Sequence, residues 1–139
     1  MHVKDIMSTD FHIASPQTTL KMAAQWMRDG DFGYLPVGDN DRLKGAVTDR
    51  DIVVRALAEG YGGETPLEHI MSKMIVYCFE DDDIREAADM MKREQIRRLC
   101  VLNDAKRLVG VISLGDIARA GHDKAMTGDI EIRVAEPAH

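Results

Sequence analysis

The chain has 139 residues, 45% of them hydrophobic and 30% charged, with 18 basic against 24 acidic side chains and a net charge of −6. This is the composition of a globular chain with a core and excludes a disordered linker. The acidic balance argues against non-specific nucleic-acid binding, which needs clustered Lys and Arg. No apolar run of membrane-spanning length is present, and MHVKDIMSTD lacks the apolar core of a signal peptide, so a cytoplasmic protein without a membrane span is expected.

Taken in chain order, the sequence repeats itself. The opening Val3-Lys4-Asp5-Ile6-Met7-Ser8 recurs as Leu67-Glu68-His69-Ile70-Met71-Ser72, an offset of 64 between Met7 and Met71. An apolar segment follows, Phe11 to Ala14, matched by Ile75 to Cys78; each reads as a short strand. Leu20, Ala23, Ala24 and Met27 then fall at helical spacing, as do Ile84, Ala87, Ala88 and Met91, which predicts one apolar stripe per helix. Thr18 or Thr19 and Asp82 or Asp83 stand where N-caps are expected.

Tyr34-Leu35-Pro36-Val37 and Arg98-Leu99-Cys100-Val101 read as the next strands. A polar turn leads from each to a further strand, Leu43–Val47 and Leu108–Ile112, and the offset grows by one residue there, so the second turn is longer. Each strand runs into a polar turn and a helix, Thr48-Asp49-Arg50-Asp51-Ile52 and Ser113-Leu114-Gly115-Asp116-Ile117. The stretch from Ala56 to Thr65, with Gly60, Gly62 and Gly63, links the halves. The expected organisation is a first repeat over 1–62, a second over 63–122 and a tail over 123–139, in which Ile130–Val134 reads as a terminal strand. The fold class is α/β (α+β): two pseudo-symmetric β-α-β-β-α units packed as a pair, because one unit of this size has a marginal core alone.

The chain resembles the cystathionine-β-synthase (CBS) domain family over about residues 1–120. The resemblance is carried by Asp5-Ile6-Met7 and Ile70-Met71, by the Leu35-Pro36-Val37 and Leu99-Cys100-Val101 strands, and by two Gly-h-h-Thr/Ser-x-x-Asp turns. Those turns read Gly45-Ala46-Val47-Thr48-Asp49-Arg50-Asp51 and Gly110-Val111-Ile112-Ser113-Leu114-Gly115-Asp116. The chain is most similar to small stand-alone bacterial two-CBS proteins. The resemblance implies a homodimer with two inter-repeat clefts that bind adenine-containing ligands: AMP, ADP, ATP, NAD or S-adenosylmethionine.

The residue chemistry accords with that implication. A carboxylate accepts two hydrogen bonds and suits a ribose cis-diol; Asp51 and Asp116 occupy the helix start, where the dipole favours a negative charge. Thr48 and Ser113 offer hydroxyls three residues earlier, and they are also good helix N-caps. Unpaired N–H groups at the same helix starts can face a phosphate. Arg50 can offer its guanidinium to a phosphate or pair with a surface carboxylate. By the resemblance, the first cleft joins Thr48, Arg50 and Asp51 to Ile75, Tyr77, Ile96 and Arg97. Ile75 and Ile96 pack there on an adenine face, Arg97 and Arg98 meet phosphates, and Arg98 reaches them from either side. The second cleft joins Ser113 and Asp116 to Ile13, Phe32, Gly33 and Tyr34. The first cleft has the charge better suited to phosphate.

No catalytic or metal-binding motif is found. His2, His12, His69, His122 and His139 are scattered, and Glu80-Asp81-Asp82-Asp83 stands before a helix, where carboxylates cap. Met22, Met27, Met90 and Met91 read as core or as a dimer face. Cys78 and Cys100 lie in apolar stretches and read as reduced, small hydrophobic side chains, with a single bridge between them as the alternative. The expectation is a non-enzymatic regulatory module that needs no cofactor, binds an adenine nucleotide and signals to a protein partner. The alternative is a structural homodimer with vestigial clefts.

Overall fold

A computed structural model describes residues 1–73 and 75–120. The tail strand expected at 130–134, together with His122 and His139, lies outside the described residues. The architecture is mixed α/β, and the chain forms two compact units. Of the described residues, unit 1 consists of Met1–Phe11 and those from Val76 to Ala120; unit 2 is His12–Ile75.

In unit 2, helix α1 (Leu20–Gly30) precedes strands β1 (Tyr34–Asp39) and β2 (Arg42–Thr48), and a short helix α2 (Asp49–Asp51) continues as a π-helical segment, Ile52–Leu57. Unit 1 repeats the order with β3 (Tyr77–Phe79), α3 (Ile84–Glu94), β4 (Arg98–Leu102), β5 (Leu108–Ser113) and α4 (Leu114–Arg119). Thr19 caps α1, accepting from the Met22 N–H at 3.2 Å, and Asp83 caps α3, accepting from the Arg85 N–H at 2.8 Å. Both helices end on a left-handed residue, Asp31 and Gln95, which closes the last turn.

The two hairpins differ as the offset predicts. Asn40 and Asp41 both have positive φ, 51° and 65°, which is the two-residue turn whose twist matches paired strands. The longer turn between β4 and β5 is organised by Asn103, whose Oδ1 accepts from the N–H groups of Ala105 (3.0 Å) and Arg107 (2.9 Å).

The Ile-Met-Ser motifs dock on the sheets. Val3 and Lys4 donate to the carbonyls of Asp82 and Glu80, and Ser8 exchanges two hydrogen bonds with Val111 at the free edge of β5. In unit 2, Leu67 donates to Thr18 and Ser72 exchanges two hydrogen bonds with Ala46 of β2. Each docking places a methionine on a glycine. A Cβ on Gly45 would lie 2.8 Å from Met71 Sδ and 2.8 Å from the Ser72 carbonyl, and a Cβ on Gly110 would run into Met7 Sδ. The Gly-h-h and Ile-Met-Ser motifs therefore occur together for a packing reason: a chain edge can approach the sheet only where the strand lacks a side chain.

The leading strands are unequal. β3 runs parallel to β4 over Tyr77–Phe79, whereas Phe11–Ala14, expected as a strand, makes a single parallel bridge from Ala14 to Val37. Two prolines account for this. Glu80 extends the β3 ladder by donating to Leu102 at 2.9 Å, and its counterpart, Pro16, has no N–H. Pro36 likewise offers no donor on the edge where its carbonyl accepts from Ala14 at 2.9 Å.

Each unit has its own core. In unit 1, Val3, Cys78, Ala87, Ala88, Met91, Leu99, Val101, Ile112, Leu114 and Ile117 pack together; in unit 2 the set includes Ala14, Leu20, Ala23, Met27, Leu35, Val37, Val47, Leu67 and Ile70. Met27 and Met91 are core residues, so they are not available as a dimer face. Ala24 is a correction: expected in the apolar stripe of α1, it is exposed, while its counterpart Ala88 is fully buried. Cys78 and Cys100 are both buried, and neither is in a disulfide. Cys78 pairs with Val101, and Cys100 with Tyr77; side chains alternate across a strand, so the two thiols point to opposite faces and no bridge joins them.

Candidate functional site

The two Thr/Ser-x-x-Asp turns have the same backbone. At the end of β2, the Thr48 hydroxyl accepts from the Asp51 N–H (3.1 Å), and Asp51 Oδ2 accepts from the Thr48 N–H (2.9 Å). At the end of β5, Ser113 accepts from the Asp116 N–H (3.0 Å), and Asp116 Oδ2 accepts from the Ser113 N–H (2.8 Å). These are reciprocal capping boxes, so the capping role of Thr48 and Ser113 is real. A third bond ties each turn to the residue just ahead of the neighbouring strand, β1 or β4: Asp49 donates to the Gly33 carbonyl at 3.0 Å, and Leu114 donates to the Arg97 carbonyl at 2.9 Å.

The carboxylates differ in what remains open. Among the described residues, Asp51 Oδ1 accepts no hydrogen bond, so this half-buried carboxylate has one oxygen open. Asp116 Oδ1 is taken by the Arg119 guanidinium, and its side chain is 14% exposed. Arg119 was not singled out by sequence reasoning; its position three residues after Asp116, one helical turn on, was the available signal.

The turns also differ in their charge. In unit 2 the Arg50 N–H is taken by Asp49 Oδ1 at 2.9 Å. With Asp49 bound to Gly33 and Asp51 to Thr48, no N–H of residues 49–51 is left for a phosphate, contrary to the expectation of unpaired donors there. The Asp49 carboxylate lies over Gly33: a Cβ at that glycine would sit 2.7 Å from Oδ2 and 3.1 Å from Oδ1. In unit 1, buried Leu114 replaces Asp49 and exposed Arg97 replaces Gly33. Arg98 stands directly opposite Ser113 in the β4–β5 register, as Tyr34 stands opposite Thr48. Asp49 is the second residue to which the sequence alone assigned no role. The exchange of Gly33 and Asp49 for Arg97 and Leu114 was visible in the aligned repeats.

The remaining candidates divide between the units. Unit 2 contains Ile13, Phe32, Gly33, Tyr34, Thr48, Arg50, Asp51 and Ile75. Phe32 packs on the core and stacks with His12, which also stacks with Trp26, at ring separations of 5.5 and 5.3 Å. Unit 1 contains Tyr77, Ile96, Arg97, Arg98, Ser113 and Asp116. Ile96 packs against the core, and Tyr77 is exposed, with its ring edge-on to Phe79. Arg50, Arg97 and Arg98 are exposed. The acidic run is used locally: Asp83 caps α3, Asp82 accepts from the Phe79 N–H at 2.9 Å, and Asp81 pairs with Lys4 at 2.8 Å. The Lys4 ammonium holds the Asp81 carboxyl below its ordinary range. Among the described residues no three His, Cys, Asp or Glu side chains come together as metal ligands, and no helix is long and apolar enough to cross a membrane.

Comparison with known proteins follows this geometry. The family model for the CBS domain matches residues 3–57 and again 67–123. The chain is 40% identical over 116 residues to the CBS domain-containing protein YhcV of Bacillus subtilis, covering 84% of this chain and 82% of that protein. It is 39% identical over 118 residues to hypoxic response protein 1 of Mycobacterium tuberculosis, with the same coverage. A crystal structure of hypoxic response protein I with two coordinated zinc ions matches with a TM-score of 0.78 at 38% identity, over 86% of this chain and 98% of that one. The CBS domain pair of protein MJ0100, crystallised with 5′-methylthioadenosine and S-adenosyl-L-methionine, matches with a TM-score of 0.76 at 29% identity, over 87% of this chain and 95% of that one.

Proposed function

The chain belongs to the CBS domain family, in tandem-pair form, and on that premise we propose that it is a non-enzymatic regulatory module that binds an adenosine-containing ligand. The observation that carries this reading is the duplicated capped turn, which holds a carboxylate at the same place in both units and leaves Asp51 Oδ1 open for a ribose hydroxyl. The ligands of the MJ0100 pair support it, since both are adenosine derivatives and neither carries a phosphate. Asp51 and Asp116 are the proposed ribose acceptors, with Thr48 and Ser113 fixing their position. Arg97 and Arg98, beside Ser113 in unit 1, are the proposed contacts for a phosphate; this reading moves the charge better suited to phosphate from the Thr48–Asp51 turn, where the resemblance put it, to the Ser113–Asp116 turn. Ile13, Phe32, Tyr34, Ile75, Tyr77 and Ile96 are the proposed apolar contacts for the base. Binding regulates a protein partner only to the extent that the ligand prefers one of two states.

A thermal-shift panel with AMP, ADP, ATP, NAD, S-adenosylmethionine and 5′-methylthioadenosine at about 1 mM tests the reading. A ligand at about a hundredfold its Kd stabilises by roughly 2.7 kcal/mol, a shift of several degrees. No shift from any of the six overturns it. The interaction-homodimer reading is favoured by a separate observation, the exposure of Val53 (56%), Val54 (46%) and Leu57 (69%) on the π-helical segment. Sedimentation of the wild type against a Leu57→Glu variant tests the dimer that both readings share, and the ligand panel separates them: a dimer that the charge dissociates and that none of the six ligands stabilises supports the alternative, and a monomeric wild type refutes it.

A further inference from the structure

We propose that Asp49 is a specificity-determining residue: it makes the Thr48–Asp51 turn select an adenosine ligand without a phosphate. The inference rests on the adenosine-ligand reading and narrows it.

The two units provide an internal comparison at constant backbone. Asp49 and Leu114 make the same hydrogen bond, at 3.0 and 2.9 Å, to the carbonyls of Gly33 and Arg97, the residues just ahead of β1 and β4. The turn geometry is thus held fixed while the side chains change. Where unit 1 has an exposed arginine and a buried leucine, unit 2 has a glycine with a carboxylate lying over it. The carboxylate is held there by one hydrogen bond, its Oδ1 accepting from the Arg50 N–H at 2.9 Å, and the absence of a side chain at Gly33 leaves room for it.

A ligand whose ribose reaches Asp51 brings its 5′ group close to these atoms. A phosphate there meets the carboxylates of Asp49 and Asp51. It finds no open N–H on residues 49–51, because those three donors are spent on Gly33, Asp49 and Thr48. Arg50 is the one cation of the turn, flanked by two carboxylates, so Thr48–Asp51 carries a net negative charge. A neutral 5′ substituent, such as a thioether, meets no repulsion, and the ribose still finds Asp51 Oδ1. In unit 1, Arg97, Arg98 and Arg119 outnumber Asp116, so the same backbone there does not oppose a phosphate.

The test uses the full-length, isotope-labelled protein. Backbone amide signals of residues 48–51 and 113–116 are followed during titration with AMP and, separately, with 5′-methylthioadenosine. In the wild type, the 48–51 signals should saturate with 5′-methylthioadenosine at concentrations about tenfold or more below those needed with AMP, the scale of one like-charge contact near a protein surface. Asp49→Asn, which removes the charge, and Asp49→Ser, which keeps an acceptor for the Arg50 N–H, should each shrink that ratio about tenfold. Melting temperatures establish that both variants fold. Equal affinities for the two ligands at the wild-type turn, or a ratio unchanged in both variants, overturn the role of Asp49 and leave the adenosine reading standing. If neither ligand moves the signals of either turn, the adenosine reading fails and takes the inference with it.

Discussion

One oxygen of Asp51 is committed to the cap and the other to the proposed ribose contact, and substitution can separate the two. Oδ2 accepts the Thr48 N–H at 2.9 Å and completes the capping box, while Oδ1 accepts nothing among the described residues. Asp51→Ala removes both oxygens. It loses one capping hydrogen bond, a stability cost of about 0.5–1.5 kcal/mol, and it loses ligand binding at this turn. Asp51→Asn is the sharper probe. Its amide oxygen can still accept from Thr48, so the cap stays, and only the favourable charge at the helix start is lost, about 0.3–1 kcal/mol. Its NH2, however, presents a donor to the ribose hydroxyls where a carboxylate oxygen accepted from them. The lost bond to a charged acceptor is worth about 1.5–3 kcal/mol, a rise in Kd of roughly 10- to 150-fold. Calorimetric titration with 5′-methylthioadenosine measures the Kd, and thermal melting in parallel measures the cap. Asp116→Asn should cost less affinity, because Asp116 Oδ1 is already engaged by Arg119. An Asp51→Asn protein that melts like the wild type and binds within twofold of it would refute the ribose role.

Two further predictions concern stability. Gly45→Ala places a Cβ 2.8 Å from both Met71 Sδ and the Ser72 carbonyl, and that carbonyl cannot retreat without stretching its bond from the Ala46 N–H at 3.0 Å. A loss of about 1–3 kcal/mol is expected by chemical denaturation, whereas Gly62→Ala, with nothing within 4 Å, should be neutral or stabilising by about 0.4–1 kcal/mol; the reverse order would show that the methionine does not wedge against the strand. Burial pushes the Cys78 thiol up to about 12, so the protonated form is favoured in the fold: its contribution is complete below the unfolded thiol's pKa of about 9 and is lost as pH rises from there toward 12. Cys78→Ala should therefore show a shallower alkaline loss of stability than the wild type, and an identical slope in the two proteins between pH 8.5 and 11 would contradict this.

The periodic features of the fold were legible. Helical spacing located α1 and α3, and the alternation of short apolar runs with polar turns located β1, β2, β4 and β5 to within two residues at each end. The one-residue difference in offset correctly marked the longer turn at Asn103. What was illegible depended on contacts between segments far apart in the chain. Nothing local in Ile6-Met7-Ser8 indicates that it pairs with Val111, because edge pairing is set by the room that Gly110 leaves. Nor does the apolar run Phe11–Ala14 disclose its reduction to one bridge, which follows from missing donors at Pro16 and Pro36. At the candidate site, the caps and the conjunction of Thr48 with Asp51 and of Ser113 with Asp116 were readable from spacing. The state of each carboxylate was legible only in a weak signal, since Arg119 stands three residues after Asp116 and engages its Oδ1, whereas Val54 stands three residues after Asp51.

The division between buried and exposed positions explains why the duplicated motif specifies a scaffold and not a ligand. The cap, the hydrogen bond to Gly33 or Arg97, and the glycine beneath the docked methionine are set by backbone and core, and both units retain them. Asp49, Arg50, Arg97 and Arg98 are exposed, and surface substitutions of this kind change stability little, so charge at the mouth of each turn can change without disturbing the fold. Leu114 shows the one coupling. By turning into the core of unit 1, it removes a carboxylate from the turn, and position 97 then faces no carboxylate at the place where Asp49 lies over Gly33. The pairs Gly33–Asp49 and Arg97–Leu114 are therefore alternative packing solutions of opposite electrostatic sign, and exchanging one residue alone is expected to strand its partner: Gly33→Arg would displace Asp49 from its place over the strand, whereas Gly33→Arg with Asp49→Leu would restore the packing and invert the charge of the turn.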